Sequence, residues 1–178
     1  MPRKTTIPLP MTNEKQLDAV LESCLKGDKT FLNWFLSKTK KGSSYNTIVL
    51  LRADYPWGKF RAILPNPSTG AIEAVIREAE TDVLLVVENA NGKRLGIHVE
   101  NKLAAGQFTP YQPEMYATRA EAWKDNIKYG KYDEWETVLI APLAFMEKNR
   151  TEAQKFVSFI SHEELAAKIP AFSTNSEA

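Results

Sequence analysis

Three charged residues near the middle of the chain have the types and spacing of a hydrolytic centre. Asp82 lies at the start of one apolar run, and Glu100 and Lys102 lie two residues apart at the end of the next. Alternate residues of a β-strand share a face, so His98, Glu100 and Lys102 point together. By the same rule Glu80 and Asp82 point one way, which makes Glu80 a candidate metal ligand beside Asp82.

The turn between the two runs decides whether Asp82 and Glu100 share a face. A two-residue Asn91-Gly92 turn would leave Asp82 opposite Asn101. A three-residue loop with a left-handed Gly92 would instead set Asp82 opposite Glu100. Glycine at the third loop position favours the longer loop. We therefore expect the two carboxylates to face each other, with their Cβ atoms roughly 5 Å apart.

This pair of carboxylates indicates a metal. Two partly buried carboxylates repel each other, and such a pair is kept where a hard cation lies between them. Carboxylates without cysteine or paired histidine select Mg²⁺ or Mn²⁺. The cation would activate water and polarise a phosphoryl oxygen, while Lys102 orients or deprotonates the water. The plain alternative is a cross-strand ion pair on an exposed face, worth under about 1 kcal/mol, but the flanking strands are apolar.

Composition excludes several classes of protein. The chain has 178 residues, 43% hydrophobic and 25% charged, which suits one domain with a real core and excludes disorder. Its single cysteine, Cys24, excludes an intrachain disulfide and a thiolate zinc cluster. The longest apolar run, Thr137–Met146, is about half of a membrane span. The start lacks a signal peptide, so we expect a cytoplasmic protein with no membrane partner.

Charge is unevenly distributed along the chain. Residues 1–61 carry a net charge of +6, and residues 62–178 carry −5. A basic half beside an acidic half suits a site where acids hold a metal and bases hold a polyanion. The loop over 38–44, with Lys40 and Lys41, could contact phosphates. The simpler alternative is a solvent-exposed loop without a ligand.

Periodicity predicts an α/β fold with a mixed central sheet flanked by helices. A loose arm over 1–10 and a frayed tail over 172–178 enclose one domain over 11–171. Residues 53–70 are predicted to be irregular, and residues 71–79 fit either a helix or a strand. The remaining elements are helices over 14–26, 29–37, 113–126 and, after a Ser161–Glu164 capping box, up to 168, and strands over 47–52, 81–87, 95–103, 137–141 and 156–160.

Ordered motifs along the chain resemble the PD-(D/E)XK nuclease superfamily, in particular a group of small bacterial proteins described as predicted nucleases. The resemblance covers most of the chain. Its elements are Glu14–Asp18 with Phe31–Leu36, Glu80-Thr-Asp82-Val, His98-Val-Glu100-Asn101-Lys102-Leu, Phe108–Arg119 and Thr137–Pro142.

The resemblance implies a restriction-endonuclease-like fold that hydrolyses phosphodiester bonds with a metal. Asp82 and Glu100 would hold the metal with the backbone carbonyl of Asn101. Lys102 would orient or help deprotonate the attacking water and pair with the phosphate. Further residues would serve the site from neighbouring elements. They are Gln112 at the catalytic centre, Glu14 as an accessory acid, and Tyr116 and Arg119 as nucleic-acid contacts.

The chain departs from that group at two positions, and several residues have plainer roles. Met115 stands where the group usually has arginine, and His98 replaces an apolar residue. His98 fits a satisfied, half-buried histidine, and Tyr116 fits the core. Plainer roles also exist for Gln112 as a helix cap, for Arg119 as a surface ion pair and for Glu14 as a favourable charge at a helix N-terminus.

Two functions of different class follow from these residues. The first is a Mg²⁺- or Mn²⁺-dependent nuclease that acts on a nucleic acid, with DNA favoured. The second is a binding module that keeps the fold and its acids without cleavage, because fold does not fix function. The sequence leaves open DNA against RNA, endonuclease against exonuclease, and monomer against homodimer.

Overall fold

The structure, a computed structural model, describes residues 13–175. The expected arm over 1–10 lies outside this range. The helices are α1 (Glu14–Gly27), α2 (Lys29–Ser37), α3 (Gln112–Trp123), α4 (Leu143–Lys148), α5 (Arg150–Ala153) and α6 (His162–Ala166). The strands are β1 (Thr47–Arg52), β2 (Trp57–Pro65), β3 (Ile72–Glu80), β4 (Val83–Glu88), β5 (Arg94–Asn101), β6 (Glu134–Ala141) and β7 (Ser158–Ser161).

Short polar side chains set the ends of the first two helices. Asn13 caps α1, since its Oδ1 accepts a hydrogen bond from the Gln16 amide at 2.9 Å. Asp28 follows α1 and caps α2 by accepting from the Thr30 amide at 2.8 Å. Leu17, Leu21 and Leu25 of the apolar stripe of α1 are buried as their spacing predicts, and the capping box that opens α6 is present.

Five strands form one mixed sheet in the order β1-β4-β5-β6-β7. The first three strands are antiparallel, and β6 and β7 run parallel to β5. Odd-numbered residues of β4 and β5, such as Val83 and Val99, pack against α1 and α2 in the largest core cluster. Even-numbered residues such as Leu84 face the opposite side, toward Trp123 of α3. The predicted α/β class with helices flanking a mixed sheet is confirmed.

The β4–β5 hairpin has the predicted register. Val83 pairs with Val99 and Glu88 pairs with Arg94, and the Asn89 amide donates to the Lys93 carbonyl at 3.0 Å, which leaves a three-residue loop over 90–92. Gly92 adopts the left-handed conformation, with φ of +76°. This conformation favours glycine because a side chain there would be strained.

The prediction of irregular structure over 53–70 is confirmed at both ends of that range and wrong for residues 57–65. Residues Trp57–Pro65 form β2, which pairs with β3 along its whole length in a separate two-stranded sheet. Phe60, Ala62 and Leu64 alternate along β2 and are buried, but the Gly and Pro residues around them mask this period in the sequence. Of residues 71–79, which fit a helix or a strand, all but the first belong to β3.

The prediction that a frayed tail begins at residue 172 places its start too early in the chain. Residues Pro170–Asn175 form a 3₁₀ helix, and Phe172 is fully buried in the main core, with its ring 5.1 Å from that of His162. Residues 176–178 lie outside the described range. No helix within residues 13–175 has the length and apolar character needed to traverse a bilayer.

Replacing Phe172 by alanine tests this assignment. We expect Phe172→Ala to lower the free energy of unfolding by about 3–5 kcal/mol, because it removes a fully buried ring. Ile127, which is 85% exposed, provides the control, and Ile127→Ala should change that free energy by less than about 0.5 kcal/mol. Urea denaturation followed by circular dichroism measures both. Equal effects of the two substitutions would contradict the burial of Phe172 and would indicate that it belongs to a frayed tail.

Candidate functional site

The two predicted carboxylates lie where β4 and β5 separate. Val83–Val99 is the last pair of the ladder, and Asp82 and Glu100 continue that register one step further. Both side chains are nearly buried, at 9% and 3% exposure. Burial raises the pKa of Asp82 well above its ordinary value, and the charge of Glu100 raises it further. The two carboxylates therefore interact across the open end of the hairpin, as predicted.

Tyr116 fills the gap at this separation point. Its hydroxyl accepts a hydrogen bond from the Asp82 amide at 3.2 Å and donates to the Val99 carbonyl at 3.3 Å. The phenol thus bonds two backbone groups of the separating strands. On the other side of Asp82, the Asn101 amide donates to Asp82 Oδ2 at 2.8 Å. Asp82 is consequently held through both its backbone and its carboxylate.

Glu100 is held by the two other residues predicted for the centre. Lys102 Nζ lies 2.7 Å from Glu100 Oε1, and Gln112 Nε2 donates to the same oxygen at 2.8 Å. Lys102 is also nearly buried, with its ammonium 5.7 Å from the centre of the Phe108 ring. Gln112 opens α3, and its Oε1 accepts from the Thr109 amide at 3.1 Å. The structure thus brings Asp82, Glu100, Lys102 and Gln112 together.

A further buried acid, Asp18, was missed by sequence reasoning. It accepts hydrogen bonds from the Tyr55 hydroxyl at 2.8 Å and from Asn101 Nδ2 at 3.1 Å. Burial raises the pKa of Asp18 to about 6 despite these two bonds, and the charges of Glu14 and Glu100 add to the rise. A signal was present, because Asp18 follows Leu17 on the apolar stripe of α1, where a charged residue is unusual.

Asn101 links this acid to the far end of the chain. Its Oδ1 lies 3.0 Å from Nε2 of His162, the first residue of α6. Burial lowers the pKa of His162 to about 4, so this histidine is neutral at pH 7 and donates through Nε2. The side chain of Asn101 therefore joins α1 to α6, a role separate from the metal contact expected of its backbone carbonyl.

Glu14 and Glu80, the two acids predicted to assist the carboxylate pair, lie in different parts of the structure. Glu14 lies beside the centre: its Oε1 accepts from the Leu103 amide at 3.4 Å, and burial raises its pKa. Glu80 is exposed and ends β3, where it pairs with Trp57. The expectation that Glu80 shares a strand with Asp82 is wrong, because the hairpin strand begins only at Val83.

His98 belongs to a buried hydrogen-bond chain rather than to the carboxylate pair. The Tyr132 hydroxyl donates to the Ala120 carbonyl at 2.6 Å, so it accepts from His98 Nε2–H at 2.9 Å. Nδ1 of His98 then accepts from the Thr81 hydroxyl at 3.0 Å, whose oxygen also accepts from Arg119 Nε. Burial lowers the pKa of His98 well below its ordinary value. His98 is thus neutral and structural.

The four residues predicted to contact nucleic acid offer no surface beside the carboxylates. Tyr116 and Arg119 are each 1% exposed, and the guanidinium of Arg119 lies 4.3 Å from the centre of the Tyr116 ring. Lys40 and Lys41 are exposed, but their backbone amides donate to Glu136, in the first half of β6. Glu136 shares a sheet face with Val138 of the α1–α2 cluster, whereas Glu100 is beside Leu139 of the cluster that contains Tyr116, so the lysines lie on the other side of the sheet.

The centre concentrates negative charge in a nearly dry environment. The charges of Glu14, Asp18 and Glu100 each raise the pKa of Asp82, and Lys102 is the cation paired with Glu100. Within residues 13–175, no three His, Cys, Asp or Glu side chains converge as a metal-binding group. A metal here would therefore have two carboxylates and otherwise backbone oxygen or water, a ligand set that Mg²⁺ accepts and structural zinc does not.

Comparison of the chain with protein-family models, with curated proteins and with solved structures gives no match.

The raised pKa of Asp18 predicts a pH-dependent stability. A carboxyl whose pKa is higher in the folded chain than in the unfolded one destabilises the fold as pH rises from about 4 through about 6. Relative to Asp18→Asn, the metal-free protein should lose about 2–3 kcal/mol of unfolding free energy between pH 4 and pH 7. Urea denaturation in EDTA at several pH values measures this difference.

Asp54 provides the control for this measurement. The guanidinium of Arg52 lowers the pKa of this exposed carboxyl. Asp54→Asn should therefore show no comparable change over the same pH range. A stability difference between the protein and Asp18→Asn that is constant with pH would contradict the buried, proton-accepting Asp18.

Proposed function

We propose that the protein is a metal-dependent nuclease of the PD-(D/E)XK type that hydrolyses phosphodiester bonds, with DNA as the favoured substrate. The observation that carries this proposal is the position of Asp82 and Glu100 just beyond the last strand pair, Val83–Val99, with Lys102 Nζ 2.7 Å from Glu100. The restriction-endonuclease-like assignment of the fold is part of the proposal. It is supported by the motif order and by the mixed sheet that positions these residues.

The donor chemistry of the centre fits Mg²⁺ or Mn²⁺. Asp82 and Glu100 would hold the ion together with the backbone carbonyl of Asn101, and the charge of Glu14, which raises the pKa of Asp82, adds to the negative potential that attracts a cation. The cost of keeping these acids buried together is offset when a divalent cation joins them. Glu80 is not part of this set, because it is exposed on β3.

The chain's own residues have distinct tasks in the proposed reaction. A bound cation supplies Lewis-acid stabilisation of charge on the phosphoryl oxygens and lowers the pKa of a bound water. Lys102 places a buried ammonium beside the carboxylates, where it can orient the attacking water and contact the phosphate. Gln112 fixes the rotamer of Glu100, and Tyr116 fixes the backbone of Asp82. The nearly buried setting strengthens each of these electrostatic interactions.

The second candidate is a module that binds nucleic acid without cleaving it. Lys102 favours the nuclease, because binding a metal needs only the acids, whereas a buried lysine paired with one of them adds a group suited to catalysis. An intracellular location belongs to either proposal, in keeping with a substrate or ligand found inside cells.

Substitution of the three central residues tests catalysis. Asp82→Asn, Glu100→Gln and Lys102→Met should each reduce cleavage of a supercoiled plasmid and of a single-stranded oligonucleotide by at least about 100-fold in Mg²⁺ or Mn²⁺. Glu80→Gln is the matched control and should retain activity. Full activity of Lys102→Met would refute the proposed mechanism. Binding with a steep salt dependence and no cleavage by the unaltered protein would instead favour the module.

Metal binding can be separated from catalysis by thermal unfolding. Mn²⁺ at about 100 times its dissociation constant should stabilise the protein by about 2.7 kcal/mol. Asp82→Asn should lose this stabilisation, while Lys102→Met should keep it, since Lys102 competes with a cation for Glu100 Oε1. An Mn²⁺ response that survives in Asp82→Asn would place the ion elsewhere.

A further inference from the structure

The outer face of the β2–β3 ribbon exposes an unusual amount of apolar surface. Four of the nine large apolar side chains that are exposed within residues 13–175 lie on this ribbon. They are Trp57, Ile63, Ile72 and Ile76, with exposures of 56%, 70%, 66% and 64%. Together they expose on the order of 500 Å², which is near the upper end for the largest apolar patch of a monomer. Patches of this size commonly mark interaction sites.

This face is separate from the one that the ribbon uses to pack on the domain. Phe60, Ala62 and Leu64 point inward, where Met115 of α3 packs against them. Since side chains alternate along a strand, the five odd-numbered positions of β2 point outward together with their β3 partners. The inner face therefore packs on the domain mainly through β2, and the outer face has no partner within the described chain.

Charge on the outer face is arranged by strand. Lys59 and Arg61 lie on β2, whereas Glu78 and Glu80 lie on β3. Lys59 is opposite Glu78, with its Nζ 3.4 Å from Glu78 Oε1. The face thus has a basic strand and an acidic strand, and its four charges cancel. A face with no net positive charge does not suit a phosphate backbone, which argues against a nucleic acid as its partner.

A second copy of the same face matches this arrangement under one symmetry. A two-fold axis that lies between two stacked faces and runs parallel to the strands sets β2 of one copy over β3 of the other. Each outward β2 residue then meets, on the second copy, the residue with which it pairs in its own chain. Lys59 meets Glu78, Arg61 meets Ile76, and Ile63 meets Ala74. One pair of opposite charges, Lys59 with Glu78, and two apolar pairs therefore face each other, while Arg61 and Glu80 each lie over a large apolar side chain.

The other simple two-fold axis is disfavoured by charge. An axis perpendicular to the strands through the ribbon centre would stack β2 on β2 and bring Arg61 onto the Arg61 of the second copy. Like charges placed directly opposite are destabilising. The charge pattern therefore selects the axis parallel to the strands.

We propose that the outer ribbon face is a homodimer interface with the two-fold axis parallel to β2 and β3. The two apolar patches together bury on the order of 1,000 Å², the lower limit for a specific interface. We therefore expect a reversible dimer with a dissociation constant in the micromolar range. This inference does not depend on the proposed catalytic activity, because neither Asp82 nor Glu100 belongs to the ribbon.

Sedimentation equilibrium of the full chain, from about 1 to about 500 µM without metal or nucleic acid, tests the interface. The protein should show a monomer–dimer equilibrium, and Ile63→Glu and Ile76→Glu should each weaken it at least about tenfold. Because both side chains are largely exposed, circular dichroism should show unchanged folding. Leu143→Glu, at an apolar residue 54% exposed on α4, is the control and should dimerise normally. A protein monomeric throughout, or dimers unaffected by both isoleucine substitutions, would overturn the proposal.

A charge exchange tests how the two faces are stacked. Lys59→Glu and Glu78→Lys should each weaken the homodimer, because like charges then meet at both symmetry-related contacts. An equimolar mixture of the two variants should restore association, since the acidic variant then meets the basic one. The intramolecular pair stays like-charged in both chains, so only contacts between copies can produce the recovery. A mixture no more associated than its components would overturn the proposed axis.

Discussion

The site depends on one local constraint: β4 and β5 stop pairing immediately after Val83–Val99. The next residue on each strand is acidic, and the Tyr116 hydroxyl bonds the Asp82 amide and the Val99 carbonyl in the gap. A continued ladder would leave no space for this phenol. The separation therefore holds two carboxylates opposite each other, and a cation bound between them would offset their mutual repulsion.

The surrounding helices stabilise this separated end. α3 supplies Tyr116 and Gln112 to one face of the sheet, and α1 supplies Asp18 to the other. Asn101 joins the two layers, because its backbone amide bonds Asp82 and its side chain bonds Asp18. Helix packing and site geometry are thus parts of one hydrogen-bond system. Burying these polar groups lowers the free energy of unfolding, and the apolar clusters on both faces of the sheet offset that loss.

The hairpin shows how local chemistry can predict a site. Glycine at the third loop position and the two-residue period of strands were sufficient to place Asp82 opposite Glu100 with Lys102 nearby. The same reasoning gave a wrong position for Glu80, because it treated Glu80 as part of the strand that follows Asp82. The chain instead passes from one sheet to the other at 81–82. That reasoning also gave no position for Gln112, whose contact with Glu100 depends on how α3 packs.

Sequence alone determined the α/β class, the helix caps, the hairpin register and the acids that face each other, because each follows from periodicity or from contacts within a few residues. Tertiary structure decided the rest. It buried Asp18 and Arg119, placed Lys40 far from the carboxylates and turned residues 57–80 into a ribbon with an exposed apolar face. These features arise from contacts between distant segments, whose partners no local pattern specifies.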